Sequence, residues 1–369
     1  MKKTSLYISI VLLFIFLSMN STNNIASADT INKTEITNLV PDIEFTHIPF
    51  YSSDTATYLS GKVHNAVIQN YGIAVYISVQ GAGWWTKPSF ANPITTINSD
   101  STFSCNIVTG GYDRYATEIC AFLIPTGILP TPVSGNGCLS DSLYMRSFKC
   151  AYRTGKPISF SGYNWWMKTC TGGPGPNNFS DSPDNVWTDA LGRLHPKITF
   201  RSGLWYCPEV VSVNTFGYGR YVFQIDTIVG NLDKNVVLGL FTWDDSCAYT
   251  HRELDFEFSR WGNQADTLNA QFVVQPYNTL NHIYRWRIPE NIDSSTHVFL
   301  WKQDTAQYIS TSGFQLFPPF TNVLKKWSTY TNIHPTGNEK VRMNLWLFNG
   351  AAPSNGQEVE VIIRKFQFY

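Results

Sequence analysis

The segment His251–Phe258 constrains the fold more strongly than any other part of this 369-residue chain. From Glu253 onward its acidic and apolar residues alternate without a break, which is the two-residue period of a β-strand. Glu253, Asp255 and Glu257 therefore share one face of the predicted strand, and the apolar residues between them face a core. Carboxylates are poor strand formers and repel one another when stacked. A functional site explains such a row better than a solvated face does.

The aromatic content extends the β prediction to the whole chain. The sequence contains 24 Phe, 19 Tyr and 12 Trp, and aromatic residues favour pleated, half-buried surfaces over helices. Apolar runs such as Val236–Trp243 and Val341–Leu347 are separated by turn residues, and no long segment has the periodicity of a helix. The sequence predicts an all-β protein.

The chain is longer than one compact core usually allows, so we expect two domains. We assign residues 46–150 to a small β-sandwich with an accessory role and residues 158–369 to one large sandwich. Residues 29–45 lead into the first domain. The polar, Gly- and Pro-containing stretch 151–157 is the predicted linker.

The neighbouring Trp84 and Trp85 in the first domain have two interpretations. Their rings could stack on sugars, but adjacent residues of a strand point to opposite faces. We therefore expect at least one of them to lie in the core.

The N-terminus has the pattern of a secretory signal peptide. Lys2 and Lys3 precede an apolar run and then a stretch ending at Ala28, and we expect residues 1–28 to be removed by cleavage after Ala28. The apolar run is shorter than the roughly 20 residues that span a bilayer. The sequence thus predicts a secreted protein, extracellular or at the cell surface, with no membrane span after cleavage.

Charge and cysteine content narrow the range of partners. Basic and acidic residues number 27 each, and without a basic block we do not expect a nucleic-acid partner. We expect a monomer that binds an uncharged ligand. The cysteines have neither CxxC nor His/Cys zinc spacing, so disulfides are favoured over a metal site, with the connectivity open. The seven are Cys105, Cys120, Cys138, Cys150, Cys170, Cys207 and Cys247.

Cleavage of a glycosidic bond is a reaction that the acidic strand could perform. It requires one carboxylate at the anomeric carbon and one protonated carboxyl at the departing oxygen. Glu253 and Glu257 can supply this pair. Their Cα atoms would lie roughly 13 Å apart on a strand, but inward-leaning side chains could bring the carboxyls to ~5–5.5 Å. Asp255 has a shorter reach and fits a supporting role, in which negative neighbours raise the pKa of the acid.

The stretch Glu253-Leu-Asp-Phe-Glu257 resembles the E-x-D-x-E signature of glycoside hydrolase family 16, which includes laminarinases, lichenases and xyloglucanases. Further segments follow in the order of that family. They are Glu209–Val213, Phe216–Arg220, Val236–Trp243 and Met343–Trp346. The resemblance covers residues 158–369 and implies a concanavalin-like β-jelly roll for the large sandwich.

For the three carboxylates, the resemblance implies a retaining endo-β-glycanase. Glu253 resembles the family nucleophile, Asp255 the assisting carboxylate and Glu257 the acid/base. The implied partner is an extracellular, β-glucan-like polysaccharide. No cofactor is required, no catalytic metal is expected, and any calcium would be structural.

The resemblance also implies three substrate-binding positions. Glu209 matches a substrate-contacting Glu of bacterial lichenases, and Trp243 and Trp346 match aromatic cleft positions whose rings stack on sugars. The alternative for either Trp is ordinary core packing. A cysteine at the position of Cys207 is bridged in those lichenases, which implies Cys170 or a neighbour as its partner.

Several residues depart from the lichenase pattern and leave the substrate open. His251 stands where the family often has Trp, and Val211 where lichenases have Arg. Val273 and Gln275 replace an Asn and a Tyr on the following strand. The specificity-determining wall therefore differs, although the three carboxylates are all present.

Other candidate residues and functions have simpler interpretations. His195, His251 and His282 lack partners at catalytic spacing, so we expect surface or core histidines. Asp244 and Asp245 are expected in a solvated loop, with a calcium or sugar contact as the alternative. The alternative function is a non-catalytic carbohydrate-binding or cell-surface protein, but such a protein has no need of a protonated Glu.

Overall fold

The computed structural model describes residues 40–369 apart from 54, 80, 81, 136, 137, 154, 156, 246 and 247. The expected signal peptide and most of the lead-in 29–45 lie outside the described residues. Val40–Tyr369 forms one compact unit. Among the described residues, no helix has the length and apolar character needed to span a bilayer.

Two small sheets form a sandwich at the N-terminal side of the described chain. Sheet one has the strand order β1-β2-β5 and sheet two the order β4-β3-β6-β7. The strands are β1 (Asp42–His47), β2 (Tyr58–His64), β3 (Tyr71–Val79), β4 (Gly83–Lys87), β5 (Thr102–Asn106), β6 (Ala116–Pro125) and β7 (Phe148–Tyr152). A short helix, α1, spans Asp141–Tyr144. Since β1 pairs with β2, the small sandwich begins within the segment expected to precede it.

The rest of the chain forms a larger sandwich of two sheets, with 11 and 8 strands. Its first strands are β8 (Pro157–Phe160), β9 (Tyr163–Met167), β10 (Cys170–Gly172), β11 (Asn177–Phe179), β12 (Val186–Thr188), β13 (Leu194–Arg201), β14 (Leu204–Cys207), β15 (Glu209–Thr215), β16 (Gly219–Ile225) and β17 (Val236–Trp243). Next come β18 (Leu254–Phe258), β19 (Ala270–Val274), β20 (Ile283–Trp286), β21 (Ser295–Lys302), β22 (Thr305–Ser312), β23 (Val323–Thr329), β24 (Lys340–Leu347), β25 (Val359–Glu360) and β26 (Ile363–Phe368).

The eight-stranded sheet has the order β20-β19-β18-β17-β24-β15-β9-β8. The other sheet follows β10-β11-β14-β13-β26-β16-β21-β22-β23, with β12 and β25 also paired to β13. Single turns of 3₁₀ helix occur at Ile68–Asn70, Asp113–Tyr115, Val229–Asn231, Thr250–Arg252 and Phe348–Gly350. The predicted fold class, all-β with a jelly-roll sandwich preceded by a smaller β-sandwich, is confirmed.

The core of the large sandwich lies between its two sheets. Alternate residues of β17 and β18 point into it, and Leu240 and Phe256 are completely buried there. The ring of Phe256 lies 6.4 Å from that of Phe223 and 5.8 Å from that of Phe299, both on the opposite sheet. Each such buried side chain stabilises the fold by about 1.5–3 kcal/mol. The opposite face of the eight-stranded sheet is thereby left for polar residues.

The small sandwich contains the disulfide Cys120–Cys150. The two cysteines are directly opposite each other on β6 and β7. Cys138 is also disulfide-bonded, whereas Cys247 lies outside the described residues. Cys105, Cys170 and Cys207 are free.

The implied bridge from Cys207 to Cys170 is wrong, because a strand separates the two residues. Phe179 of β11 pairs with Cys170 on one side and with Cys207 on the other. Neighbouring strands lie about 4.8 Å apart, so the two Cα atoms are separated by about twice that spacing, beyond the ~7 Å limit for a disulfide. The Cys207 thiol donates instead to Asn177 Oδ1 at 3.3 Å.

Candidate active site

The strand β18 places the three predicted catalytic carboxylates on the open face of the eight-stranded sheet. Its alternate residues Leu254, Phe256 and Phe258 are buried in the core, so the residues between them must point the other way. Glu253, immediately before the strand, has an extended backbone conformation and continues the row. Asp255 is 2% exposed, whereas the two glutamates are half-buried. The row therefore presents two accessible carboxyls with a buried one between them.

A second row runs across the strands and sets the floor beside Glu257. Glu257 is paired with Gly239 of β17, Gly239 with Asn344 of β24, and Asn344 with Glu209 of β15. A Cβ atom on Gly239 would lie 2.5 Å from Asn344 Oδ1. The missing side chain thus allows the amide of Asn344 to lie over Gly239, between Glu209 and Glu257.

A cleft of about 490 Å³ opens on this face, a volume typical of small-molecule and cofactor sites. All six residues predicted from the sequence line it. They are Glu209, Trp243, Glu253, Asp255, Glu257 and Trp346.

Burial raises the pKa of all three carboxyls of the acidic strand. For Glu253, the charge of Glu257 raises the pKa further, while a hydrogen bond with Asp255 and the charge of Arg342 lower it. The pKa of Asp255 lies well above its ordinary value, because burial is reinforced by the charges of both glutamates. The cluster therefore retains protons at a pH where an exposed carboxyl would have lost them.

Two glutamines on neighbouring elements hold the carboxyls in place. Gln271 of β19 donates its side-chain amide to Glu257 Oε2 at 2.6 Å. Gln275, just after β19, donates to Asp255 Oδ2 at 3.2 Å. Gln275 is one of the residues that depart from the lichenase pattern, and its amide fixes the orientation of the central acid.

Glu209 has surroundings of the opposite kind. It is 1% exposed, and its carboxylate accepts hydrogen bonds from Lys168 at 3.1 Å, from Arg342 at 3.2 Å and from Asn344 at 3.2 Å. Burial works to raise the pKa of Glu209, but the two cations outweigh it, and the pKa is lowered. Glu209 is therefore an ionised anchor for the floor of the cleft.

Trp243 and His251 form a stacked aromatic pair in the lining of the cleft. Their ring centroids are 3.8 Å apart, with 12° between the planes. His251 Nδ1 lies 2.8 Å from the carbonyl oxygen of Asp244. The sequence predicted a surface or core histidine at 251, yet its ring is half-buried and lines the cleft.

At the other end of the lining, half-buried Trp346 lies edge-on to Trp261, at 6.1 Å. Both predicted tryptophans thus have rings in the lining.

The expectation of a solvated loop at Asp244 and Asp245 is wrong. Asp244 is 2% exposed and forms an ion pair with Arg252 at 2.6 Å. Asp245 Oδ1 accepts from Arg342 at 2.7 Å and from the indole of Trp243 at 3.0 Å. Acidic residues are buried in proteins when a cation pairs with them, and the sequence did not reveal these partners.

Arg342 and Lys168 are the site residues that sequence reasoning missed most clearly. Arg342 and Val211 are paired residues on neighbouring strands. Their side chains therefore share the open face of the sheet. The spacing of Arg342, Asn344 and Trp346 at every second position is a signal that could have assigned all three to the open face.

The small sandwich also contributes to the lining. Trp84 of β4 lines the cleft and is 2% exposed, and its indole donates to the carbonyl oxygen of Asp245 at 2.9 Å. Trp85 points to the other side and donates to the carbonyl oxygen of Ala82. The expectation that at least one of the two lies in a core is confirmed.

The remaining candidates lie outside the cleft. His195 and His282 are buried and do not line it. Among the described residues, one group of three side chains has ligand atoms close enough together for a metal ion, namely Glu118 with Cys120 and Cys150. Its two sulfurs form the disulfide and are therefore not thiolate ligands.

No protein-family model matches the chain. No curated protein sequence matches it either.

Among solved structures, the chain is similar to a beta-glucanase of Bacillus licheniformis, with 21% identity and a TM-score of 0.42, covering 58% of this chain and 99% of that one. It is also similar to a beta-1,3-1,4-glucanase (lichenase) from a mouse hindgut metagenome, with 19% identity, a TM-score of 0.41 and 58% and 98% coverage. A laminarinase from Flavobacterium sp. UMI-01 has 11% identity, a TM-score of 0.44 and 56% and 92% coverage. Each similarity covers nearly all of the other chain and little more than half of this one.

Proposed function

We propose that the protein is a secreted glycoside hydrolase, a retaining endo-β-glycanase that cleaves an extracellular β-glucan-like polysaccharide by double displacement. One observation carries the proposal. Two accessible glutamates, Glu253 and Glu257, line one cleft from the same side of a strand, with the buried Asp255 between them. This is the pair of carboxyls that glycosidic cleavage requires.

In the first step, the Glu253 carboxylate attacks the anomeric carbon while Glu257 gives its proton to the departing oxygen. Burial and the charge of Glu257 raise the pKa of Glu253 to about 8, while a hydrogen bond with Asp255 and the charge of Arg342 act in the opposite direction. Burial raises the pKa of Glu257, which favours the protonated acid. With both pKa values raised to near neutrality, the pair can hold one proton and one charge at the same time, and we assign the charge to Glu253 from its position in the motif.

In the second step, water releases the sugar from Glu253. The esterified Glu253 carries no charge, so the electrostatic repulsion on a deprotonated Glu257 falls and its pKa drops. Glu257 then accepts a proton from the incoming water and acts as a general base. Two displacements at the same carbon retain its configuration.

Substrate binding in this proposal uses the aromatic lining. Trp243 and Trp346 offer ring faces or edges to the apolar faces of sugar units. The carboxylate of Glu209 is engaged by Lys168 and Arg342. We therefore assign Glu209 the task of holding these cations at the floor, where their remaining N–H groups can reach sugar hydroxyls.

The test is release of reducing sugar from linear β-1,3-, β-1,4- and mixed-linkage glucans, xyloglucan and galactans by the wild type and by Glu253→Gln. We expect the wild type to cleave at least one polymer and the variant to cleave none. Proton NMR of the first product should show the retained anomer, and net inversion would remove Glu253 as nucleophile. Binding of these polymers without cleavage would favour the alternative of a carbohydrate-binding protein.

A further inference from the structure

The small sandwich contacts the large one at the same end of two neighbouring strands. Asp245, whose carbonyl oxygen accepts the indole N–H of Trp84, lies two residues after the end of β17. Asn338, which donates to Glu118 Oε1 at 3.1 Å, lies two residues before the start of β24. Glu118 is 2% exposed, and a carboxylate is buried at such a contact only where its polar partners are close. The contact is therefore closely packed.

This contact lies at the Glu253 end of the catalytic row. Asp255 is paired with Phe241 on β17, so Trp243 lies two residues further, beside Glu253. The last strand pair at that end is Trp243 with Lys340 of β24. The strands β17 and β24 both lie on one side of β18. Among the described residues, the contacts of the small sandwich thus border the cleft on the side of the scissile bond where β17 and β24 lie.

The direction of the sugar chain follows from the catalytic geometry. Two carboxyls on one strand act on one glycosidic bond from opposite sides, so the polysaccharide must cross the strands between Glu253 and Glu257. A surface beyond the strand ends then runs alongside the sugar chain and does not block its path. Besides Trp84, this surface presents Ser78, Val79 and Gly83 to the cleft.

We infer that the small sandwich is a specificity wall of the active site, which selects unsubstituted β-glycans by leaving no room for side chains on the sugars bound over β17 and β24. The inference rests on the proposed function and narrows its substrate class. The buried indole of Trp84 has no free ring face for stacking, so it shapes the wall and holds the backbone of Asp245. We therefore class Trp84 as a positioning residue.

The experiment compares polymers that share a backbone and differ in side groups. One pair is a linear β-1,3-glucan and a β-1,6-branched β-1,3-glucan, and the other is soluble cello-oligosaccharides and xyloglucan. The wild type is expected to cleave the linear member of a pair at least about tenfold faster than the substituted member, the discrimination of a modest steric clash. Equal rates on both members would overturn the inference without touching the proposed function.

Variants in β4 provide matched controls. Trp84→Ala opens the wall and should reduce the preference for the linear polymer about tenfold, with a larger change in KM than in kcat. Trp84→Phe retains most of the bulk and should retain most of the preference. Trp85→Ala removes the neighbouring indole, which faces away from the cleft, and should leave the preference unchanged. If Trp84→Ala and Trp85→Ala reduce the preference for the linear polymer equally, the role of Trp84 is only structural. That result would overturn its assignment as a positioning residue.

Binding separates the inference from turnover. The Glu253→Gln protein can be titrated with the same linear and substituted polymers. Preferential binding of the linear polymers supports the wall even if the wild type cleaves nothing, in which case only the hydrolase proposal fails. Equal binding of the linear and the substituted polymers would overturn the inference that the small sandwich is a specificity wall.

Discussion

Two groups of buried acids on the same face of one sheet have opposite electrostatics. Glu209 on β15 is surrounded by Lys168, Arg342 and Asn344, and its pKa is lowered. The acidic row on β18, three strands away in the sheet order, has glutamine amides as its nearest side-chain donors, and its pKa values are raised. Cations turn a buried carboxylate into a structural anchor. Where cations act only as a minor influence, as Arg342 does on Glu253 and Arg285 on Glu257, the same residue type holds or releases a proton near neutrality.

The contrast also sets opposite pH dependences of stability. The lowered pKa of Glu209 contributes stability above the ordinary pKa of a carboxyl, and this contribution is lost as the pH falls through the lowered value. The raised pKa values of the acidic row mean that the folded chain binds more protons than the unfolded one. Their contribution to the free energy of unfolding therefore decreases as the pH rises from the ordinary value toward the raised values.

The largest expected effect is on activity when a member of the acidic row loses its charge. Glu253→Gln and Glu257→Gln should each reduce kcat by about 10²–10⁴-fold or more, because a nucleophile or a general acid is lost. Both proteins should also unfold at a higher urea concentration than the wild type at pH 7, since a repelling buried charge is gone. Wild-type activity in either variant would contradict the conclusion that the acidic row supplies the charge and the proton of the reaction.

A large loss of stability is expected when the anchor is removed. Glu209→Ala leaves Lys168 and Arg342 without their buried counter-charge and should lower the free energy of unfolding by about 3–5 kcal/mol in a urea titration. The matched control is Glu358→Ala, which breaks an exposed ion pair with Lys197 and should cost about 0–1 kcal/mol. Equal effects of the two substitutions would remove the distinction between anchor and surface pair.

A smaller effect is expected from Arg342, which donates to Glu209 and lowers the pKa of Glu253. Arg342→Gln removes a positive charge that lowers the pKa of Glu253. Because the pKa of Glu253 is the higher of the pair, about 8 against about 7 for Glu257, the alkaline limb of the kcat/KM profile should move to higher pH. The charge of Arg342 is not among the influences on Glu257, so the acidic limb should stay in place and the profile should widen. Movement of both limbs together would indicate a general loss of structure.

The smallest effect is expected at Gln271, whose uncharged amide donates to Glu257 of the acidic row. The amide of Gln271 lowers the pKa of Glu257, and Gln271→Ala should shift the acidic limb to higher pH with little change in the alkaline limb. The pair Arg342→Gln and Gln271→Ala thus moves opposite limbs of one profile. A profile that moves on the same limb in both variants would contradict the separate influences of Arg342 on Glu253 and of Gln271 on Glu257.

The sequence predicted those features that depend on local pattern. The alternation from Glu253 to Phe258 assigned the faces of β18, and the resemblance brought Glu209, Trp243 and Trp346 to the same cleft. The sequence did not show which distant strands pair with one another. Arg342 serves the site only because β24 lies between β15 and β17, a neighbourhood that separations in sequence do not reveal.

Two errors have the same physical origin. The bridge implied for Cys207 ignored a strand inserted between it and Cys170, and no local pattern reports that insertion. The solvated loop expected at Asp244 and Asp245 ignored cations placed nearby in space by other segments. In both cases a tertiary neighbour decides the chemistry of the side chain.

The double role of Asp245 affects how this gene can be recombined. Its carbonyl oxygen is bonded to Trp84 of the small sandwich, and its carboxylate to Arg342 and Trp243 on the catalytic face. Gene shuffling that treats residues 158–369 as a portable catalyst would discard one of the groups that hold this aspartate. A useful fusion or truncation should therefore retain both sandwiches and join new partners before residue 40.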